Sequence, residues 1–116
     1  MQPIRKYPRI KCNLRGEVIP IDENERSIPS DIVQLGQGGA LIKTSANIEA
    51  NSVFILALAL PAETVRLVCQ ALYRYNLDEG EFIGIAFEED EAAPAPLVSY
   101  IEKMLPDNAI HLTSSK

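Results

Sequence analysis

The sequence is short of the residues that most chemistry needs. It has one histidine, His111, near its C-terminal end, and two cysteines, Cys12 and Cys69, far apart and without CxxC spacing. Neither cysteine has a recognisable base and no carboxylate pair is picked out by spacing, so acid–base, nucleophilic and metal-assisted catalysis find no constellation here. An enzyme is therefore not expected, nor a cofactor or metal site. Tryptophan is absent and aromatics make up 6% of the chain while 47% of residues are apolar, which suits a compact aliphatic core. The longest apolar run, 53–62, is about half of the ~20 residues that a membrane-spanning helix needs. The opening Met-Gln-Pro-Ile-Arg lacks an apolar h-region and does not read as a signal peptide. With both cysteines expected to be reduced, the chain reads as a cytoplasmic protein without membrane insertion.

Charge is plentiful but unevenly placed. A formal charge of -5 argues against duplex DNA as a partner, because phosphate neutralisation by Lys and Arg supplies most non-specific binding. Arg5, Lys6, Arg9, Lys11 and Arg15 nevertheless precede the first acidic residue after them, Glu17, whereas Asp78, Glu79, Glu81, Glu88, Glu89, Asp90 and Glu91 cluster late. A basic pole and an acidic pole fit a small, discrete anion better than a long nucleic acid; the alternative is that both clusters only solvate the surface. Arg5 and Arg9 stand four residues apart just before the first expected strand. A guanidinium is planar, permanently charged and forked, and it matches a phosphate or the O6/N7 edge of guanine with two parallel hydrogen bonds.

With 116 residues, the chain has room for one domain with its own core. Alternation predicts a first strand over 10–21, with Gly16 as a possible bulge site, then a charged loop and a second strand over 30–35. A glycine-rich corner, Gly36-Gln37-Gly38-Gly39, leads to extended structure over 40–44 and a loop over 46–51. The stretch 53–60 is apolar on both faces, as a strand covered on both sides would be. Over 65–75, Val65, Leu67, Cys69, Ala71, Tyr73 and Tyr75 share one face, opposite Arg66, Gln70 and Arg74. A hairpin turn over 76–81 then returns the chain through 82–87. Leu97, Tyr100, Ile101, Met104 and Leu105 form the apolar stripe of one helix, which Pro106 is expected to end. Short turns, five or six strands and a terminal helix point to a mainly β fold, a small closed barrel capped by that helix. The expected layout is a flexible basic leader over 1–9, one barrel domain with its helix over 10–106, and a frayed tail over 107–116.

The glycine corner admits two explanations. Its glycines permit positive φ and close backbone approach, and exposed N–H groups can form an anion-binding nest; a glycine-rich corner also serves simply as a barrel bend. It is not a P-loop, since Lys43 stands at the wrong offset and no helix follows.

Taken together, these segments resemble PilZ domains, bacterial receptors for the second messenger cyclic di-GMP. Arg5-Lys6-Tyr7-Pro8-Arg9 looks like the RxxxR motif of that family. Gln34 to Gly39, followed by Ala40-Leu41-Ile42, stands where the family places Asp/Asn-x-Ser-x-x-Gly. Phe82-Ile83-Gly84-Ile85-Ala86-Phe87 is similar to its late strand, which a C-terminal helix follows. The resemblance covers roughly residues 4–105 and implies a six-stranded antiparallel barrel with cyclic di-GMP as ligand. It further implies that Arg5 and Arg9 contact guanine edges and phosphates, each bidentate guanine contact being worth ~1–3 kcal/mol of discrimination. Gln34, Gly36 and Gly39 would form the second half of the site, with Lys6 and Gly38 as secondary contacts. The leader would fold over the ligand and pass the signal to an unidentified downstream protein. The second motif departs from the pattern: Gln34 replaces the short acidic or amide residue and Gly36 replaces serine, leaving Gly39 intact. Aligning on Gly36 instead would recover Asp31 but lose the Gly-Ala-Leu-Ile continuation. Two functions thus stand side by side, a cyclic di-GMP receptor and an adaptor that has lost the nucleotide and works through protein contacts.

Overall fold

Aliphatic and β-branched runs, punctuated by glycine, proline and charged turns, form six long strands. They are β1 (Arg9–Pro20), β2 (Ile28–Gly36), β3 (Gly39–Thr44), β4 (Val53–Ala59), β5 (Thr64–Leu77) and β6 (Gly80–Phe87), followed by helix α1 (Ala95–Asn108) and the short strand β7 (Ala109–Ile110). The computed structural model describes residues 8–21, 26–78, 80–88 and 93–110. All pairings are antiparallel, and the order β2-β3-β6-β5-β4-β1 closes on itself because β1 also pairs with β2. The fold is the expected mainly β, closed six-stranded barrel with a C-terminal helix. Closure works through the length of β1, which pairs with β2 along one edge while its second half, from Arg15, pairs with β4 along the other.

One face of each strand fills the barrel. Val18, Ile32, Leu35, Ala40, Ile42, Leu56, Leu58, Cys69, Ile83 and Ile85 are fully or almost fully buried in one cluster. The helix supplies Leu97 and Ile101 to it, with Tyr100, Met104 and Leu105 half-buried alongside, so the predicted stripe is the packed face. Burying a side chain of this size contributes roughly 1.5–3 kcal/mol. Pro96 sits in the first turn of α1, where a missing N–H leaves no bond unmade.

The structure differs from the sequence reading in five places. Gly16 is not a bulge: it pairs in register with Ser30 and Leu58, and the irregularity lies between Lys11 and Leu14. Glycine is there for space, since a Cβ would stand 2.7 Å from Ile32 Cδ1 and 2.8 Å from the Ala57 oxygen. Strand β4 is covered on one side only; Phe54, Leu56 and Leu58 are buried but Val53 is 44% exposed, because α1 packs on β1 and not over β4. In β5 a register shift between Ala71 and Tyr73 inserts one extra residue. That slip moves Tyr73 and Tyr75 from the inner to the outer face. Pro106 does not end the helix, which continues through Asn108; within the last turn its missing N–H removes one backbone bond and leaves the turn in place. Part of the expected tail is ordered as well, Ala109 and Ile110 pairing with Ile10 and Arg9.

Candidate functional site

Arg9 opens β1 directly opposite Gly36, the last residue of β2, and Gly39 opens β3 beside Ala86 of β6. The sequence folds tightly here because Gln37 and Gly38 alone join the two strands. The Arg9 side chain runs across this corner. Its Cγ lies 3.2 Å from where a Cβ of Gly36 would stand, and its Nη2 lies 3.4 Å from the same point on Gly39. The guanidinium therefore reaches from β1 across the end of β2 to β3. Two residues without side chains leave the path open.

The glycines act through close approach and not through backbone sign. Among the described glycines only Gly80 has a positive φ, 138°. At Gly36 a Cβ would stand 3.0 Å from the Pro8 carbonyl oxygen, and at Gly39 it would collide with the Ile85 carbonyl. Gly38 is exposed, and its carbonyl accepts a hydrogen bond from the Phe87 N–H at 2.9 Å, which ties the corner to β6. Gln34 lies half-buried, opposite Lys11 of β1 and Leu41 of β3. Arg9, Gln34, Gly36, Gly38 and Gly39 are thus brought to one end of the outer barrel surface. Arg5 and Lys6 lie outside the described residues, as do Glu89, Asp90, Glu91 and His111.

One neighbour of this corner is absent from the sequence reading. The pairings continue Lys11–Gln34–Leu41 across the outer face to Gly84 and Tyr73. The Tyr73 ring lies directly on Gly84, so closely that a Cβ there would collide with it. A glycine between two isoleucines in an otherwise apolar strand is the available sequence signal for something resting on the backbone.

Other chemistry-bearing groups sit elsewhere and are engaged. Burial pushes the Cys12 thiol up to about 11 and the Cys69 thiol up to about 12, so at neutral pH both are protonated and poor nucleophiles. A cleft of about 540 Å³ is lined by Arg15, Ser30, Asp31, Lys43, Thr44 and Glu81. Its charges alternate in sign, Arg15 pairing loosely with Asp31 at 3.7 Å, and the Ser30 hydroxyl donates to Thr44 Oγ1 at 2.7 Å. Among the described residues no three His, Cys, Asp or Glu side chains cluster as metal ligands, and no helix is long and apolar enough to cross a membrane.

No protein-family model matches the chain, and no curated protein matches it by sequence. Solved structures do match in shape. The Bacillus subtilis inhibitor of motility MotI/DgrA superposes with a TM-score of 0.70 at 14% identity, over 90% of this chain and 51% of that one. The PilZ domain of YcgR from Escherichia coli, solved with c-di-GMP, gives 0.67 at 11% identity, over 90% of this chain and 94% of that one. MrkH of K. pneumonia, also a c-di-GMP complex, gives 0.61 at 19% identity, over 92% and 52%. The chain spans about half the length of MotI/DgrA and MrkH and nearly all of the isolated YcgR domain. Its fold is that of a PilZ-like domain.

Proposed function

We propose that this chain is a cytoplasmic, non-enzymatic receptor for cyclic di-GMP, which orders its N-terminal arginine segment over the 36–39 corner and so signals to a protein partner. The position of Arg9 supports the proposal: its guanidinium lies across Gly36 toward Gly39, so the second arginine of the motif stands beside the glycine corner. The likeness to c-di-GMP-bound YcgR and MrkH supports it at the level of fold. Arg9 offers its fork to a guanine edge or a phosphate, and Arg5, four residues earlier, offers a second one. Lys6 adds a phosphate contact, Gln34 an amide, and Gly36, Gly38 and Gly39 a floor without side chains. Ordering the leader subtracts from the affinity these contacts give, and a dissociation constant in the micromolar range is expected. Calorimetric titration with cyclic di-GMP at tens of micromolar tests this. Saturable heat is expected from the wild type, with Arg9→Ala weakening binding by about tenfold or more, the scale of one bidentate contact. No heat from folded wild-type protein would overturn the proposal, and unchanged affinity in Arg9→Ala would overturn the site.

A second reading, the adaptor without nucleotide, has a specific observation in its favour. The backbone at Pro8 and the Arg9 side chain crowd the spot where the family's serine would project from position 36. A partner retained equally with and without cyclic di-GMP in size-exclusion chromatography supports the adaptor. Partner release or capture on adding nucleotide supports the receptor.

A further inference from the structure

We infer that two copies of this chain associate through the open edge of β5, pairing antiparallel about a two-fold axis at Tyr75. Strand β5 has 14 residues and outruns its neighbour: its pairing with β4 ends at Gln70 opposite Val53. The Ala71 backbone is still held there, by the Asn51 N–H at 2.7 Å and the Ser52 carbonyl at 2.9 Å. From Tyr73 to Leu77 the strand pairs with β6 alone, and among the described residues no strand lies along its other edge. With Leu77 opposite Gly80 and two residues between them in sequence, antiparallel alternation directs the backbone groups of Leu77, Tyr75 and Tyr73 toward β6. Those of Arg74 and Asn76 face outward.

Open edges in natural proteins are guarded by charge, proline or bulges. This one has the bulge at Leu72 where it begins, but beyond it the outer face is apolar. Tyr73, Tyr75 and Leu77 share the outer face and are 47%, 38% and 49% exposed. Arg74 does not guard the edge, because its guanidinium turns back to donate to the Ala46 carbonyl at 3.3 Å and stands 3.9 Å from Glu81. The rings are already arranged, Tyr73 and Tyr75 stacking with centroids 6.1 Å apart and Tyr75 and Phe82 at 5.7 Å.

The edge specifies an extended strand as occupant, and the chain's own sequence supplies it. In a two-fold register centred on Tyr75, Arg74 and Asn76 of each copy exchange backbone bonds with Asn76 and Arg74 of the other. Tyr75 then faces Tyr75, and Tyr73 faces Leu77, so that apolar meets apolar on the outer face. On the other face Arg74 is diagonal both to Asp78 and to Arg74 of the second copy, so with its guanidinium held by Ala46 and Glu81 that face is left without a net charge preference. An interface of this kind is self-complementary by construction, which closed two-fold dimers require.

Sedimentation equilibrium over tens to hundreds of micromolar tests the inference. The full chain is expected to pass from 12.8 kDa toward twice that mass as concentration rises. Tyr75→Lys and Tyr75→Glu each place like charges across the axis and are expected to stay monomeric, with far-UV circular dichroism unchanged. Mixing the two variants in equal amounts sets opposite charges across the same axis and should restore the dimer. Leu77→Lys, farther out on the same face, gives a second monomerising variant should position 75 not tolerate charge. A wild type that remains monomeric throughout overturns the inference. So does a folded Tyr75→Lys that dimerises as strongly as wild type, or a mixture of folded variants that fails to associate.

Discussion

Gly39→Ala and Gly84→Ala add the same methyl group to adjacent strands of the same sheet, and in both a new Cβ would overlap an existing atom. Different stability losses are expected because different atoms stand in the way. At Gly39 the obstacle is the Ile85 carbonyl, part of the β3–β6 ladder in which Ala40 pairs with Ile85, both fully buried. Backbone cannot rotate aside, so the two strands must separate, at the ~1–3 kcal/mol typical of overpacking. Neither glycine has a positive φ, so alanine returns about 0.4–1 kcal/mol by restricting the unfolded chain. The net loss for Gly39→Ala is about 1–2 kcal/mol on those two figures. At Gly84 the obstacle is the Tyr73 ring, which is 47% exposed and free to swing into solvent. Losing its stack on Tyr75 costs about 0.5–1.5 kcal/mol against the same entropic return, leaving Gly84→Ala within about 1 kcal/mol of wild type. Urea denaturation reads both directly. With a slope of about 1–3 kcal/mol per molar, Gly39→Ala should lower the midpoint by roughly 0.3–2 M and Gly84→Ala by less. Equal losses, or a larger one at Gly84, would refute the distinction between yielding and unyielding neighbours.

Two further outcomes follow from the same geometry. Cys69 is fully buried and its thiol is held up to about 12 from 9.0, so above pH 9 the unfolded chain loses a proton that the folded chain keeps. Cys69 should therefore lower stability by about 1.4 kcal/mol per pH unit between about pH 9 and 12, with Cys12 adding a like slope up to about 11, and Cys69→Ala should make the decline shallower in urea melts compared across pH. Gly36→Ser restores the family's hydroxyl, but its Cβ would stand 3.0 Å from the Pro8 oxygen and 3.2 Å from Arg9 Cγ. No gain in cyclic di-GMP affinity is expected in calorimetry, and a tenfold gain would show that the corner opens more readily than its packing implies.

The strands and the helical stripe were legible because each buries one face, and burial writes a period of two or of about 3.6 into the sequence. What escaped lacks such a period. In β5 the extra residue beside Ala71 is Leu72, itself apolar, so a run from Ala71 to Tyr75 carries no mark of the slip that turns the tyrosines outward. Strand β7 is too short for any period and exists because α1 delivers Ala109 and Ile110 to the edge that β4 leaves free. Glycine content was visible at position 16 and at the 36–39 corner. Whether glycine served φ or close approach depended on partners such as Ala57 and Ile85, distant in sequence. The convergence of Arg9 with Gly36 and Gly39 was likewise non-local, and a family resemblance pointed to it where periodicity did not.

The same pairings decide how recognition and association sit on one barrel. Arg9 and Ile10 are held on both edges, by Gly36 and Leu35 of β2 and by Ile110 and Ala109 of β7. The Arg9 backbone is therefore fixed by strand pairing on both sides. Under the proposed function, Arg9 therefore adds its contacts without a backbone-ordering cost of its own. The open edge lies away from it. Along β3, Gly39 at the corner and Lys43, which continues through Phe82 to Tyr75, are four residues apart, about 13 Å at strand rise. Pairing about Tyr75 thus centres the seam on a row distant from Arg9, while Tyr73 at its end shares a row with Gln34. A dimer built this way carries two copies of the Arg9 corner, each tied through β7 to the end of its own helix.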